Sequence, residues 1–198
     1  MATTQNRRLW PILLIILAIV AVYTGITYNK LVREDENVKL NWGNLQNTYQ
    51  RRIDLVPSLA AVVKASSDYE RQTLQELTEA RARAAQVTLS AGLPSQENYY
   101  RQEQAQAAVA NSTNRVIAVI EKYPDLKSAK SYSDLQSQLE GTERRIKVAR
   151  NDFNTAVAQY NKLVRSFPSS LVASLFGYKP KEGFKSKAGA ETAPEIKF

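Results

Sequence analysis

The sequence predicts an all-α protein: an N-terminal transmembrane helix followed by an antiparallel up-and-down four-helix bundle with long helices. Three observations point there. An uncharged apolar run of bilayer length lies near the N-terminus. Beyond it, apolar residues recur at helical steps of three and four. Straight-chain helix formers dominate, with only seven Gly and seven Pro in 198 residues.

A short basic N-terminus, residues 1–8, carries Arg7 and Arg8. The anchor follows over residues 9–28, formed by Leu9, Trp10, Ile12, Leu13, Leu14, Ile15, Ile16, Leu17, Ile19, Val20, Val22 and Tyr23 and completed by Tyr28. About 20 uncharged residues match the hydrocarbon thickness of a bilayer. Trp10 at one end and Tyr23 and Tyr28 near the other form an aromatic belt. Pro11 falls in the first turn, where its missing N–H costs little. The run is long and no small-residue cleavage site follows, so a retained anchor is expected rather than a cleaved signal peptide. Arg7, Arg8 and the N-terminal amine before the span, against Lys30 and Arg33 after it, give the expectation of a cytoplasmic N-terminus by a narrow margin.

The helical domain spans residues 29–168. Leu31, Val38, Trp42, Leu45 and Tyr49 form one stripe. Pro57 is expected to break this first helix, because proline removes a ladder N–H. The heptad phase nevertheless carries through Pro57, so one long kinked helix stays open as the alternative. A second stripe holds Leu59, Val63, Ser66, Leu74, Leu77, Ala80 and Ala84, and fades between Val87 and Pro94. A third helix begins near Ser95, with Tyr99, Gln102, Ala105, Val109, Val116, Ile117 and Ile120 inward, and ends at Tyr123-Pro124-Asp125.

The fourth helix has the longest pattern: Leu135, Leu139, Thr142, Ile146, Ala149, Phe153, Ala156, Tyr160, Leu163 and Phe167 alternate steps of four and three. Ser133 and Gln136 suggest a capping box at its start, and Pro168 stops it. Residues 169–198 then give a short amphipathic helix followed by an extended Lys-, Gly- and Ala-rich tail with the composition of a mobile segment.

Composition narrows the chemistry. The chain has no Cys and no His, which removes thiol nucleophiles, disulfides, thiolate or imidazole metal sites and histidine triads. No catalytic residue, cofactor or metal ligand is expected. The net charge of +8 is dispersed. No clustered stripe with interleaved aromatics marks a nucleic-acid footprint.

The stretch Trp42…Tyr49-Gln50-Arg51-Arg52-Ile53-Asp54-Leu55-Val56-Pro57-Ser58-Leu59 resembles the signature of the LemA family. Val63-Lys64, Glu70 and Ala80-Arg81 continue it. So do Thr142-Glu143, Ala149-Arg150, Phe153-Asn154 and Tyr160-Asn161, and the ending Phe176-Gly177-Tyr178 with Ala193-Pro194-Glu195-Ile196-Lys197-Phe198. Phe153, where a Tyr is usual, and Ser66-Ser67-Asp68-Tyr69 are mild departures. The resemblance implies a bacterial four-helix bundle behind a membrane helix, with no established enzymatic activity. Family members occur beside membrane proteases, and one is associated with building membrane compartments.

Arg51, Arg52 and Asp54 form the sharpest polar cluster. It could hold an acidic partner or a lipid phosphate. The structural reading is preferred: Asp54 caps a helix starting at Pro57, and an Arg bridges helix ends. Glu143 and Arg150 are expected to make interhelical salt bridges. Ile196-Lys197-Phe198 places apolar side chains at alternate positions before a carboxylate, a form that PDZ domains bind as an added strand. The expected function is a non-enzymatic, self-associating scaffold in the bacterial inner membrane, with lipid and further copies as partners and the domain outside the cytoplasm. The alternatives are an accessory factor for a membrane or PDZ-containing protease and a membrane-compartment shaping protein.

Overall fold

Helical periodicity carries over into a chain whose regular structure, among the described residues, is all α-helix. The structure is a computed structural model that describes residues 6–64, 71–88, 96–127 and 129–184. The elements are α1 (Asn6–Lys64), α2 (Arg71–Thr88), α3 (Gln96–Ile120), α4 (Pro124–Lys127), α5 (Lys130–Arg165) and α6 (Ser169–Leu175). The chain divides into two compact units, one of Met1–Val38 with Thr155–Lys181 and one of Lys39–Asn154 with Glu182–Phe198.

From Trp10, α1 holds a stretch long and apolar enough to cross a membrane. The large side chains from Trp10 to Val22 are exposed on all sides. Burial begins at Thr27 and Leu31, at helical spacing.

The expected break at Pro57 does not occur. α1 is one helix of 59 residues that passes through it. Proline lacks the N–H that would bond the carbonyl four residues back, which belongs to Ile53. That carbonyl is satisfied from another helix: Arg81 Nε of α2 donates to Ile53 O at 3.3 Å. Pro57 itself faces solvent. Ile53 and Arg81 would lie about 42 Å apart on one straight helix, so α1 and α2 are separate helices packed together. Asp54 consequently caps nothing. It sits inside α1 and accepts a bond from Gln50 Nε2 at 2.8 Å. Residues up to Lys64, expected in a second helix, belong to α1, and Ser66 lies outside the described residues. The helices are therefore unequal, at 59, 18, 25 and 36 residues for α1, α2, α3 and α5.

The second unit is built on Ile53, Val56, Leu59 and Val63 of α1, Leu74, Leu77, Ala80 and Ala84 of α2, Val109, Val116 and Ile120 of α3, and Tyr132, Leu135 and Leu139 at the start of α5. The inner face of α3 runs Tyr99, Gln102, Gln106, Val109, Thr113, Val116, Ile120, an unbroken alternation of three and four. Ala105 and Ile117, expected inside, are half-buried, while polar Gln106 and Thr113 occupy the seam. α5 starts at Lys130, three residues before the expected cap at Ser133. The Ala129 carbonyl accepts from the N–H groups of Tyr132 and Ser133 at 3.0 and 3.2 Å.

In the first unit, the inner face of α5 continues through Ala156, Val157, Tyr160 and Val164. Phe167, expected on that stripe, lies past the end of α5 and is 82% exposed. α6 turns Ser169, Val172 and Ala173 inward. It closes on Gly177 at φ +76°, where the Gly177 N–H bonds Ser174 O at 3.3 Å and the Tyr178 N–H bonds Ala173 O at 2.9 Å. This is a Schellman closure, whose left-handed residue suits glycine. It brings Phe176 and Tyr178 onto Tyr28, with ring centroids 4.8 and 6.3 Å away.

Candidate functional site

The motif residues fall into two constellations. In the second unit, Arg52 lies inside the protein with a side chain 7% exposed. Its guanidinium donates to the backbone O and the Oε1 of Gln106 at 3.1 and 3.2 Å, and pairs with Glu143 Oε2. One charge thus joins α1, α3 and α5. A second ion pair, Arg150 Nη2 to Glu103 Oε1 at 2.8 Å, joins α5 to α3. Arg51, one residue along, is exposed.

A cavity of about 120 Å³ is lined by Tyr49, Arg52, Glu103, Gln106, Ile146 and Arg150 among others. A second, of about 320 Å³, lies on the other side of Arg52 against Thr113, Leu139, Glu140 and Glu143. Among the described residues, Arg52 Nε, Gln106 Nε2 and Thr113 Oγ1 have no hydrogen-bond partner; Arg52 and Gln106 line the first space, and Arg52 and Thr113 line the second. Burial pushes the Tyr49 hydroxyl up to about 12 against the lowering pull of Arg150 and Arg52, so it keeps its proton at neutral pH. Among the described residues, no group of three or more His, Cys, Asp or Glu side chains gathers as a metal site.

The second constellation binds the start of the tail. In the first unit, the Asn161 side chain forms a pair of bonds with the Lys181 backbone: Nδ2 donates to its O at 2.6 Å, and Oδ1 accepts from its N–H at 2.8 Å. Tyr160 OH donates to Lys179 O at 2.9 Å. Lys181 Nζ pairs with Asp35 at 2.6 Å and sits 5.0 Å from the Tyr160 ring centroid.

In the second unit, Asn154 treats Phe184 in the same way, at 3.1 and 2.8 Å. The Phe184 ring joins Trp42, Tyr99 and Phe153 at centroid distances of 6.2, 5.4 and 5.8 Å. The Arg150 guanidinium lies over it at 4.6 Å. An asparagine amide presents an N–H donor and a carbonyl acceptor side by side, the same pair a neighbouring strand would offer. Each asparagine, within its own unit, holds its residue of the tail where the ladder of a sheet otherwise would. The expected mobile tail is therefore wrong for residues 179–184.

The remaining motif residues divide by burial. Trp42, Tyr49 and Leu59 are buried, Leu55 is half-buried, and Pro57 is exposed. Ile196, Lys197 and Phe198 lie outside the described residues. Sequence reasoning passed over Gln106, Thr113 and Phe184. The first two complete the α3 heptad and were detectable by spacing. Phe184 stands alone in a Lys-rich segment and carries no periodic signal.

These features define a class: among the described residues, helices throughout the regular structure, an N-terminal helix apolar enough for a membrane, and polar motif residues that mostly bond other parts of the chain. The LemA family model matches residues 41–198, and the chain belongs to the LemA family. It is also similar to Magnetosome protein MamQ 1 and MamQ 2 of Paramagnetospirillum magneticum and to Magnetosome protein MamQ of Magnetospirillum gryphiswaldense. Each is 32% identical over 88 residues, covering 44% of this chain. The match spans about a third of the length of these curated relatives, 32% of each.

Proposed function

We propose that the protein is a non-enzymatic, membrane-anchored scaffold of the bacterial envelope that associates with further copies of itself. In this reading α1 crosses the inner membrane with its N-terminus in the cytoplasm. α1, α2, α3 and α5 make an antiparallel up-and-down bundle outside it. The observation that carries the reading is where the polar motif residues go. Arg52, Glu143, Arg150, Asn154, Tyr160 and Asn161 all bond other parts of the chain. Such groups build a rigid body and leave little for chemistry. Confinement of an anchored body to a membrane plane raises its effective concentration, which favours self-association. Chemical crosslinking of the full chain in native membranes, followed by size analysis in mild detergent, tests this. Ladders of copies are expected, and a strictly monomeric protein in both experiments rejects the scaffold.

Similarity to the magnetosome proteins favours a second reading, in which the scaffold shapes a membrane compartment. Deletion of the gene with imaging of internal membranes separates the two. The protease-adaptor alternative rests on Ile196-Lys197-Phe198 and on the family resemblance. Removing these three residues should abolish capture of a PDZ protease, and unchanged capture would sink it.

A further inference from the structure

α6 is short, but its two faces differ sharply. Ser169, Val172 and Ala173 point inward. Leu171 and Leu175, four apart and therefore on one face, are 64% and 76% exposed. Phe167, in the turn before α6, and Phe176, just after it, are exposed as well. Large exposed apolar side chains gathered on one short segment mark an interaction surface.

Its position indicates what covers it. Phe176 and Tyr178 pack against Tyr28, the last residue of the apolar segment of α1. From Trp10 to Tyr28 the helix rises about 27 Å, close to the bilayer core thickness, which places Tyr28 at the interface. The patch on α6 is thus continuous with the aromatic belt of the anchor, within one compact unit. Lys30 and Lys179, next to this aromatic cluster in sequence, are exposed. Exposed cations beside an interfacial apolar face suit anionic headgroups.

We propose that Phe167, α6 and Phe176 form a second membrane contact, a foot resting in the headgroup layer of an anionic phospholipid bilayer beside the exit of α1. This rests on the reading that α1 crosses the bilayer, and it deepens that reading. An anchor alone leaves a helix free to tilt and rotate about its axis, and a second contact beside it fixes both. Interfacial helices bind with the apolar face turned to the acyl chains and basic groups at the headgroups, the roles assigned here to the exposed leucines and to Lys30 and Lys179.

The absence of cysteine allows a clean test. An environment-sensitive fluorophore is attached to single-cysteine variants of the full chain, L171C or L175C. The chain is reconstituted in phosphatidylethanolamine–phosphatidylglycerol vesicles containing lipids that carry a doxyl quencher near the headgroup or, for the probe at 19, deep in the acyl chain. I19C in the span and S137C on an exposed face of α5 serve as controls. The foot predicts blue-shifted emission and roughly twofold quenching at 171 and 175, with neither at 137. Probes at 171 and 175 as wet and unquenched as that at 137, beside a quenched probe at 19, overturn the foot and leave the anchor standing. Probes that are dry but unquenched by lipid overturn it in favour of a second copy or another protein. An unquenched probe at 19 removes the anchor, and the foot with it.

Discussion

Arg52 gives up most of its hydration to sit among α1, α3 and α5, and the arrangement holds because Glu143 and Gln106 replace the lost water. Removing one partner of a buried pair strands the other. The Glu143 side chain is 51% exposed, so water can stand in for part of what it supplies. Glu143→Gln should therefore lower stability by about 1–2 kcal/mol, below the usual cost of breaking a fully buried pair. Arg52→Ala should cost more, since it empties space and strands Gln106. Arg52→Met fills the volume without the charge and should fall between wild type and Arg52→Ala. Urea midpoints of the detergent-solubilised chain measure all three, and a neutral Arg52→Ala would contradict the structural role given to this charge. The asparagine clamps allow a sharper comparison. Asn154→Asp keeps the acceptor for the Phe184 N–H but turns a donor into a carboxylate oxygen facing a carbonyl. It should cost about 1–2 kcal/mol, and Asn154→Ala about 2 kcal/mol. Hydrogen exchange at the Phe184 amide reports this directly: faster exchange is expected in Asn154→Ala and near-native protection in Asn154→Asp. Equal exchange in all three proteins would remove Asn154 from the clamp.

At the scale of elements, the sequence disclosed most where apolar residues alone set the pattern. The α5 stripe from Leu135 to Tyr160 and the α1 stripe from Leu31 to Tyr49 are buried as read, because a heptad of large side chains admits one inward face. Gln106 and Thr113 were missed because, past Gln102, the face of α3 was traced through Ala105, Val109 and Val116 by apolarity, while burial there follows spacing and tolerates polar groups beside Arg52. Phe184 was missed because its pocket is assembled from Trp42, Tyr99 and Phe153 on three helices. Pro57 was read as a break because its remedy lies 24 residues downstream, in Arg81. That remedy predicts a coupling. Arg81→Met should destabilise the wild-type protein by about 1 kcal/mol, since it leaves the Ile53 carbonyl without a donor. In a Pro57→Ala background the helix supplies its own N–H, and the same substitution should cost little. A double-mutant cycle by urea unfolding should therefore give a coupling of about 1 kcal/mol between the two positions. A coupling near zero would mean that Arg81 merely packs near this carbonyl.

For the whole molecule, the buried tyrosines predict a fall in stability at alkaline pH. The Tyr49, Tyr99 and Tyr160 hydroxyls are each pushed up to about 12, in every case mainly by burial. Glu182 adds to the effect at Tyr99, and Asp35 with Tyr178 at Tyr160. In the unfolded chain a tyrosine ionises near 10. Below about pH 10 all three are protonated in both states, so their contribution is fully present and flat with pH. Between about pH 10 and pH 12 the unfolded chain releases protons that the folded chain retains. Stability then falls by up to about 1.4 kcal/mol per pH unit for each tyrosine. Above about pH 12 both states are ionised and the loss is complete. Unfolding of the full chain in detergent, compared at about pH 9 and about pH 11, should show a fall that Tyr49→Phe reduces by about 1 kcal/mol. Phenylalanine keeps the ring and removes the ionisable group, so the reduction isolates the proton from the packing. Tyr160→Phe should flatten the slope equally while also lowering stability at about pH 9, because it gives up the bond to Lys179 O. A pH dependence unchanged in both variants would place the alkaline limit in other groups, and would show that these two hydroxyls are wetter than their burial implies.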